Sequence, residues 1–230
     1  MPLGCTGDGS SLQCRAMDTL AYPRPWFDEW MRKTGEAPPD FSTLRSMPDL
    51  PDLLEFYDGT KVLGLAAWAE RRKEIRTLLC RYFFGTFPQR SPTLLRATVL
   101  FEERERGTIR SKVRLDFDTH PPASVTIETM RPETPGRHPV FLTQTTHRSW
   151  AVMGVSRGYL SVVYPASDED DQSIQFGPIY PECDWRTIPR RAWLAGRVID
   201  YLEGVPEADT AQIAISGHSR NGKQSLIAAA

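Results

Sequence analysis

The chain has 230 residues, with 28 lysines and arginines against 29 aspartates and glutamates, and a formal net charge of −1. This balance argues against a general nucleic-acid binder or a polybasic membrane-surface protein, and 40% hydrophobic residues are typical of a globular chain. The sequence has no apolar run of about 18 residues, so a transmembrane helix is not expected.

Residues 1–60 are predicted to form an extended arm that wraps a domain comprising residues 61–230. Prolines recur from Pro23 to Pro51, and periodic apolar segments are scarce. The first 20 or so residues are expected to be disordered. They also lack the basic and apolar segments of a signal peptide, so a cytoplasmic location is the default prediction unless the start is misassigned.

An amphipathic helix is predicted over Trp68–Phe84, ended by Gly85. Five apolar residues recur at helical spacing and are expected to face the core: Ile75, Leu78, Leu79, Tyr82 and Phe83. The basic run Arg71–Arg76 is interpreted as the solvated face of this helix.

Three strands rich in Val, Ile, Thr and Phe are predicted next, at Leu94–Glu103, Thr108–Phe117 and Ser124–Met130. The connections between them are short. We therefore expect an antiparallel meander.

Apolar strands then alternate with helices. The strands are predicted at His138–Thr143, Tyr159–Tyr164 and Gln212–Ser216, and the helices at Trp150–Arg157 and Pro189–Leu202. Continuous apolar strands separated by helices are typical of a parallel sheet covered on both faces. The predicted fold class is therefore α/β, with a doubly wound, mostly parallel sheet that continues from antiparallel N-terminal strands.

The most informative segment is Ile213–Ala230, in which a buried strand, the sharp turn Gly217–Ser219 and a helix follow one another. This context is typical of a nucleophile elbow, which raises a serine hydroxyl above the sheet at the N-terminus of a helix. Ser219 is the predicted nucleophile. The alternative is that Ser219 only caps the last helix, since serine is a favoured N-cap residue.

Other candidate sites are weaker. The four cysteines form no CxxC pair, and the sequence shows no glycine-rich phosphate loop or metal-ligand cluster, so we expect no metal and no cofactor. The acidic segment Ser167–Ser173 is interpreted as a solvated loop, with a place at the rim of a substrate site as the alternative. Trp185 and Trp193 are interpreted as core aromatics, with a sugar platform as the alternative.

The string G-H-S-R-N-G-K at Gly217–Lys223 resembles the G-C-S-R-N-G-K motif of glucuronoyl esterases and their bacterial relatives. The resemblance extends to the Trp-containing segment Tyr180–Leu202 and to the strand and loop at Pro139–Trp150, and covers roughly residues 38–230. It implies an α/β-hydrolase fold and ester hydrolysis through an acyl-enzyme. The implied partner is a small-molecule or carbohydrate ester, such as a sugar uronate ester, rather than nucleic acid or a membrane.

The resemblance also implies roles for individual residues. Ser219 would attack the ester carbonyl, Arg220 would stabilise the oxyanion through its N–H and guanidinium, and Lys223 would contact the sugar. Independently of the resemblance, His147 follows the first predicted parallel strand, so it is expected near the elbow as a pocket-wall or oxyanion-loop residue. His218 stands where the best-known members have cysteine, so no disulfide is expected there.

A serine nucleophile needs a base and an orienting acid, which in α/β-hydrolases follow the serine in the order Asp or Glu, then His. No His, Asp or Glu follows Ser219 in this sequence. Either the chain is the N-terminal piece of a longer hydrolase, which we favour, or His147 is an unusual upstream base. The chain alone is then expected to turn over slowly or not at all.

Two rival interpretations remain open at the level of the sequence. One is a non-catalytic hydrolase fragment or binding module that lacks the acid and histidine of the triad. The other is an enzyme related to dienelactone hydrolases or peptidases, on the same fold.

Overall fold

A computed structural model describes residues 25–37 and 39–230. The chain divides into two compact units, with the boundary between Asp52 and Leu53. The predicted disordered segment lies outside the described residues, and the wrapping arm over residues 1–60 stays a prediction. None of the described helices is both long and apolar enough to cross a membrane.

The first unit contains helix α1 (Pro25–Thr34), which the sequence analysis does not predict. Proline suits the first position of a helix because its missing N–H would have no partner there. Glu29 and Lys33 form an ion pair of 3.2 Å one turn apart, which supports an exposed helix modestly. Gly35 ends the helix with a φ of 69° and donates its N–H to the carbonyl of Met31.

In the second unit, helix α2 spans Gly64–Leu79 and continues as a π-helical turn over Cys80–Phe84. The helix predicted at Trp68–Phe84 is thereby confirmed. Gly85 ends it with a φ of 74°, and a Cβ there would lie 2.8 Å from the carbonyl oxygen of Asp184. Both the positive φ and the closeness of Asp184 therefore require glycine at this position.

The expected orientation of α2 is correct only in part: Ile75 and Leu78 are half-buried and Arg72, Lys73 and Arg76 are exposed, as expected. Leu79, Tyr82 and Phe83 are exposed, Phe83 by 74%, whereas Arg71 from the expected solvated face is buried. Arg71 can be buried because Glu74, one turn along the same helix, forms an ion pair with its guanidinium. Periodicity alone does not reveal such a pair, since it treats every arginine as a surface residue.

Within the described residues, six strands form one sheet in the order β1-β2-β3-β5-β4-β6. They are β1 (Leu94–Glu105), β2 (Thr108–Phe117), β3 (Ala123–Pro132), β4 (His138–Gln144), β5 (Leu160–Tyr164) and β6 (Ala208–Ile215). The first three pair as an antiparallel meander, and β4 pairs in parallel with both β5 and β6. Both expectations about the sheet are confirmed.

Three α-helices follow the meander: α3 (Arg148–Val155), α4 (Thr187–Leu202) and α5 (Arg220–Ala229). Alternate residues of β5 separate the two layers of the core. Leu160 and Val162 belong to the cluster that includes α4, whereas Val163 packs with Ala151 of α3. Helices therefore cover both faces of β4 and β5, as their continuous apolar residues predict. The expectation of a buried strand before Gly217 is wrong, because β6 lies at the edge of the sheet and most of its residues are exposed or half-buried.

Trp185 and Trp193 belong to the core, as predicted, and not to the sugar platform that was the alternative. Trp185 is 6% exposed, and its ring centroid lies 5.3 Å from that of Trp193 in an edge-on arrangement. Phe176 and Tyr180 complete this aromatic cluster at centroid distances of 5.0 Å and 5.7 Å from Trp193. Edge-on aromatic pairs of this kind stabilise a core, so the core interpretation is confirmed.

Candidate active site

The turn between β6 and α5 places Ser219 at the start of the helix. Ser219 has a φ of 55° and a ψ of −120°, a conformation that non-glycine residues rarely adopt. Its side chain makes no capping hydrogen bond and the residue is exposed. The alternative that Ser219 serves as a side-chain cap is therefore wrong, and its hydroxyl is free to meet a substrate.

Two glycines allow this turn to be so tight. A Cβ on Gly217 would lie 2.5 Å from the carbonyl oxygen of Asn221 and 2.7 Å from Oε1 of Gln144. A Cβ on Gly222 would lie 3.0 Å from the carbonyl oxygen of Gly217. The first turn of α5 thus packs directly onto the backbone of the elbow, which explains why both positions are glycine.

A buried polar network supports the elbow from below. Gln144, at the end of β4, donates its Nε2 to the Tyr164 hydroxyl at 3.0 Å and to Ser225 Oγ at 3.2 Å. Ser225 Oγ donates to the carbonyl oxygen of Asn221 at 2.8 Å, and Gln224 Nε2 reaches the Tyr164 hydroxyl at 3.4 Å. The network ties α5 to the carboxyl ends of two strands, and so restricts where Ser219 can lie.

His147 lies beside the elbow, in the 3₁₀ turn that follows β4. Its Nδ1 is 3.3 Å from Nδ2 of Asn221, and its ring centroid is 4.3 Å from that of Trp150. An amide N–H donates, so this contact requires Nδ1 to be unprotonated. Burial first, and the nearby charge of His218 second, lower the pKa of His147 below its usual 6.5. The contact and the pKa both favour a neutral imidazole.

This lowered pKa predicts a pH-dependent stability. The unfolded chain binds a proton at His147 at about pH 6.5, whereas the folded chain resists it, so stability falls as the pH drops below about 6.5. Between about pH 7.5 and 5.5, we expect wild type to lose more thermal stability than His147→Gln. The loss of thermal stability in His218→Gln should be intermediate, because this variant removes the charge of His218 but leaves His147 buried. Equal losses in wild type and His147→Gln would contradict the prediction.

Arg220, the residue after the serine, is exposed and its guanidinium forms an ion pair with Asp168. The N–H of Arg220 donates to no acceptor within residues 25–37 and 39–230. The N–H that follows an elbow serine is a usual donor to an oxyanion. Arg220 therefore has a backbone N–H that is available as a donor, and a guanidinium that is held by Asp168.

Lys223 is exposed on the first turn of α5, and its N–H donates to the carbonyl oxygen of Ser219 at 3.1 Å. Of the four residues proposed for the site, Ser219, Arg220 and Lys223 thus share the start of α5, and His147 contacts this turn through Asn221. No carboxylate among the described residues forms a hydrogen bond with His147, and no cluster of possible metal ligands occurs among them. An orienting acid for a general base is therefore not seen in this part of the chain.

Sequence reasoning missed two kinds of support for the site. The first is the pair of buried amides of Asn221 and Gln144, which hold the elbow and His147 in place. No such role was predicted for either residue, although Asn221 lies within the motif Gly217–Lys223. The acidic segment Ser167–Ser173 is not a solvated loop throughout, because the side chain of Asp171 is only 16% exposed and pairs with buried Arg191. The arginine pair at Arg190–Arg191 is the signal that could have indicated partners for these acids.

The parallel strands, the helices that flank them and the strand-to-helix turn at Ser219 give the chain an α/β-hydrolase-like fold. A family model described as "Glucuronyl esterase, fungi" matches residues 122–230. The 4-O-methyl-glucuronoyl methylesterase of Phanerochaete carnosa is 30% identical over 193 residues, which cover 79% of this chain and 46% of that protein. The Hypocrea jecorina enzyme of the same name is 30% identical over 208 residues, covering 86% and 42%.

The solved glucuronoyl esterase from Solibacter usitatus shares the fold, with a TM-score of 0.67 and 19% identity over 81% of this chain and 61% of that chain. The chain spans a little under half the length of the two curated relatives. Together these matches confirm the resemblance to glucuronoyl esterases that the motif at Gly217–Lys223 indicates.

Proposed function

We propose that the chain is a serine carboxylic-ester hydrolase that acts through an acyl-enzyme on Ser219. The observation that carries this proposal is the conformation of Ser219, which stands exposed on a strained strand-to-helix turn with its hydroxyl uncommitted. Backbone strain at an exposed nucleophilic residue is characteristic of functional sites. A serine whose purpose was to cap α5 would bond the helix N–H groups instead.

The proposed chemistry has two steps. Oγ of Ser219 attacks the ester carbonyl carbon while a base takes the hydroxyl proton, and the tetrahedral oxyanion collapses with loss of the alcohol. Water then attacks the acyl-enzyme and releases the acid and free Ser219. The N–H and guanidinium of Arg220 stabilise the oxyanion in both steps, since both groups belong to the residue that follows the serine.

We assign His147 to the wall of the substrate pocket rather than to the general base. Its Nδ1 already faces the Asn221 amide at 3.3 Å, and no described carboxylate orients its ring. A catalytic histidine needs such an orienting group to hold the productive tautomer. A neutral imidazole at this place can instead donate a hydrogen bond to a sugar hydroxyl through Nε2.

We propose a sugar uronate ester as the substrate. The relatives named above are 4-O-methyl-glucuronoyl methylesterases, and the motif that carries the resemblance includes Lys223, one helical turn after Ser219. An exposed ammonium there can bond sugar hydroxyls next to the reacting ester. A hydrogen bond to a charged group is worth about 1.5–3 kcal/mol, which corresponds to roughly 10- to 100-fold in rate.

This assignment can be tested by following acylation of Ser219 with methyl glucuronate and with an aryl acetate, using mass spectrometry in single-turnover mixtures. Lys223→Ala should slow acylation by methyl glucuronate by at least about tenfold and leave the aryl acetate reaction within about twofold. Lys33→Ala, on α1, is the matched control. Equal effects of Lys223→Ala on both esters would favour the dienelactone-hydrolase-like or peptidase-like alternative.

The non-catalytic alternative is tested in the same mixtures. A soluble, folded chain that neither ester acylates would favour a hydrolase fragment or binding module. Acylation of Ser219 without release of the acid would instead show that the chain fails at hydrolysis of the acyl-enzyme.

A further inference from the structure

The carboxylate of Asp168, in the loop after β5, joins two guanidinium groups from different helices. Its Oδ1 accepts from Nη1 of Arg191 on α4 at 2.9 Å, and its Oδ2 pairs with Nη2 of Arg220 on α5. The loop, the helix before the elbow and the helix after it therefore meet at one side chain. Asp168 and Arg220 also line the same cleft, which has a volume of about 510 Å³.

Arg191 is a fixed anchor for this carboxylate. It is only 4% exposed, and its other nitrogens donate to the carbonyl oxygen of Ser167 at 2.8 Å and to Oδ2 of Asp171 at 2.9 Å. Asp171 is itself held by Ser173, whose backbone N–H donates to Oδ1 at 3.1 Å. Removing this guanidinium would leave buried acceptors without a partner, so its position is strongly determined.

Arg220 has no comparable anchor of its own. Its side chain is 64% exposed, and Asp168 is its ion-pair partner within the described part of the chain. Exposed ion pairs are usually weak, because ordering two long side chains costs entropy. Here one partner is short and already ordered by Arg191, so the pair restricts Arg220 at a smaller entropic cost.

We propose that Asp168 is a positioning residue, which holds the guanidinium of Arg220 beside Ser219 and is itself held by Arg191. The functional part of this proposal rests on the role proposed above for Arg220. Asp168 acts through Arg220: in its absence the guanidinium samples many rotamers, and a preorganised positive charge at the oxyanion is lost.

The test compares Asp168→Asn with Glu169→Gln. Both variants remove one negative charge from the same exposed loop, but the structure gives Glu169 no ion-pair partner among the described residues. Two measurements are made on the full chain: the ¹H–¹⁵Nε signal of Arg220 by NMR, and the rate of Ser219 labelling by a fluorophosphonate. Thermal unfolding verifies that both variants fold.

Asp168→Asn should broaden or shift the Arg220 Nε signal and slow labelling by about tenfold, mainly in the maximal rate rather than in the probe concentration for half-maximal rate. Glu169→Gln should change neither. In an Arg220→Gln background, Asp168→Asn should have no further effect on labelling, because the two residues act as one unit.

The outcomes separate this inference from the proposed function. An ordered Arg220 signal that Asp168→Asn disrupts, in a wild-type chain whose Ser219 is not labelled, supports the positioning and contradicts the proposed hydrolase. A mobile Arg220 in wild type, or labelling by Asp168→Asn at the wild-type rate or faster, overturns the positioning. Additive effects of Asp168→Asn and Arg220→Gln would also overturn it.

Discussion

Ser219→Ala should reduce fluorophosphonate labelling by about a thousandfold or more. The hydroxyl oxygen is the atom that forms the acyl bond, and the donors of Arg220 cannot replace it; removal of a nucleophilic serine typically leaves only the small residual catalysis of the oxyanion site. Labelling is measured by intact mass and located by peptide mapping. Ser216→Ala, at the start of the turn, is the matched control and should label normally.

The strained backbone at Ser219 allows a second variant, Ser219→Gly, to be compared with Ser219→Ala. Ser219 has a φ of 55°, which glycine adopts without the steric cost that a Cβ imposes. Ser219→Gly should therefore abolish labelling and yet raise the free energy of unfolding by about 1 kcal/mol relative to Ser219→Ala. Labelling that persists in both variants would mean that another residue reacts. Equal stability of the two variants would contradict the assigned strain.

Gly217→Ala should damage both the stability and the reactivity of the chain. The added methyl group would lie 2.5 Å from the carbonyl oxygen of Asn221 and 2.7 Å from Oε1 of Gln144, and a backbone carbonyl cannot move aside without moving the helix. Overpacking of this kind costs about 1–3 kcal/mol. A displacement of Ser219 by about 1 Å should slow labelling by roughly a hundredfold.

Gly196→Ala provides the control for Gly217→Ala, because Gly196 lies within α4 and a Cβ there would meet nothing within 4 Å. Replacing a helical glycine by alanine should raise stability by about 0.5–1 kcal/mol. Chemical denaturation of both variants measures the two changes. Wild-type labelling by Gly217→Ala would show that the elbow does not depend on the close packing described here.

Much of this fold could be predicted from sequence because its signals are local. The buried strands β4 and β5 are short apolar segments, and residues that break regular structure lie between them. In β2, every second residue is buried, which is the period of two that a strand covered on one face shows. The elbow could also be predicted, since strand, small residues, serine and helix lie next to each other in the sequence. The site residues follow from a seven-residue motif for the same reason.

The features that could not be predicted depend on contacts between distant parts of the chain. The burial of Arg71 depends in part on the carbonyl oxygen of Leu53, 18 positions away, to which Nε of Arg71 donates at 3.4 Å. The pairs of Asp168 with Arg191 and Arg220 join residues from a loop and two helices. The composition of an acidic segment is the same whether its carboxylates are solvated or form ion pairs. Which of these occurs at Asp168 depends on where α4 and α5 place their arginines.

The polar network below the elbow has a consequence for how the chain folds. Its hydrogen bonds join residues far apart in sequence: Gln144 and Ser225 are 81 positions apart, and Gln224 reaches the carbonyl oxygen of Ala166 across 58. Contacts of such separation form slowly, because the intervening chain must be ordered before they can stabilise anything. Local hydrogen bonds, such as that from the Lys223 N–H to the carbonyl oxygen of Ser219, form the turn itself but do not attach it to the sheet. We therefore expect Ser219 to reach its final position above the sheet late in folding, and a partly folded chain to be labelled more slowly than the native one.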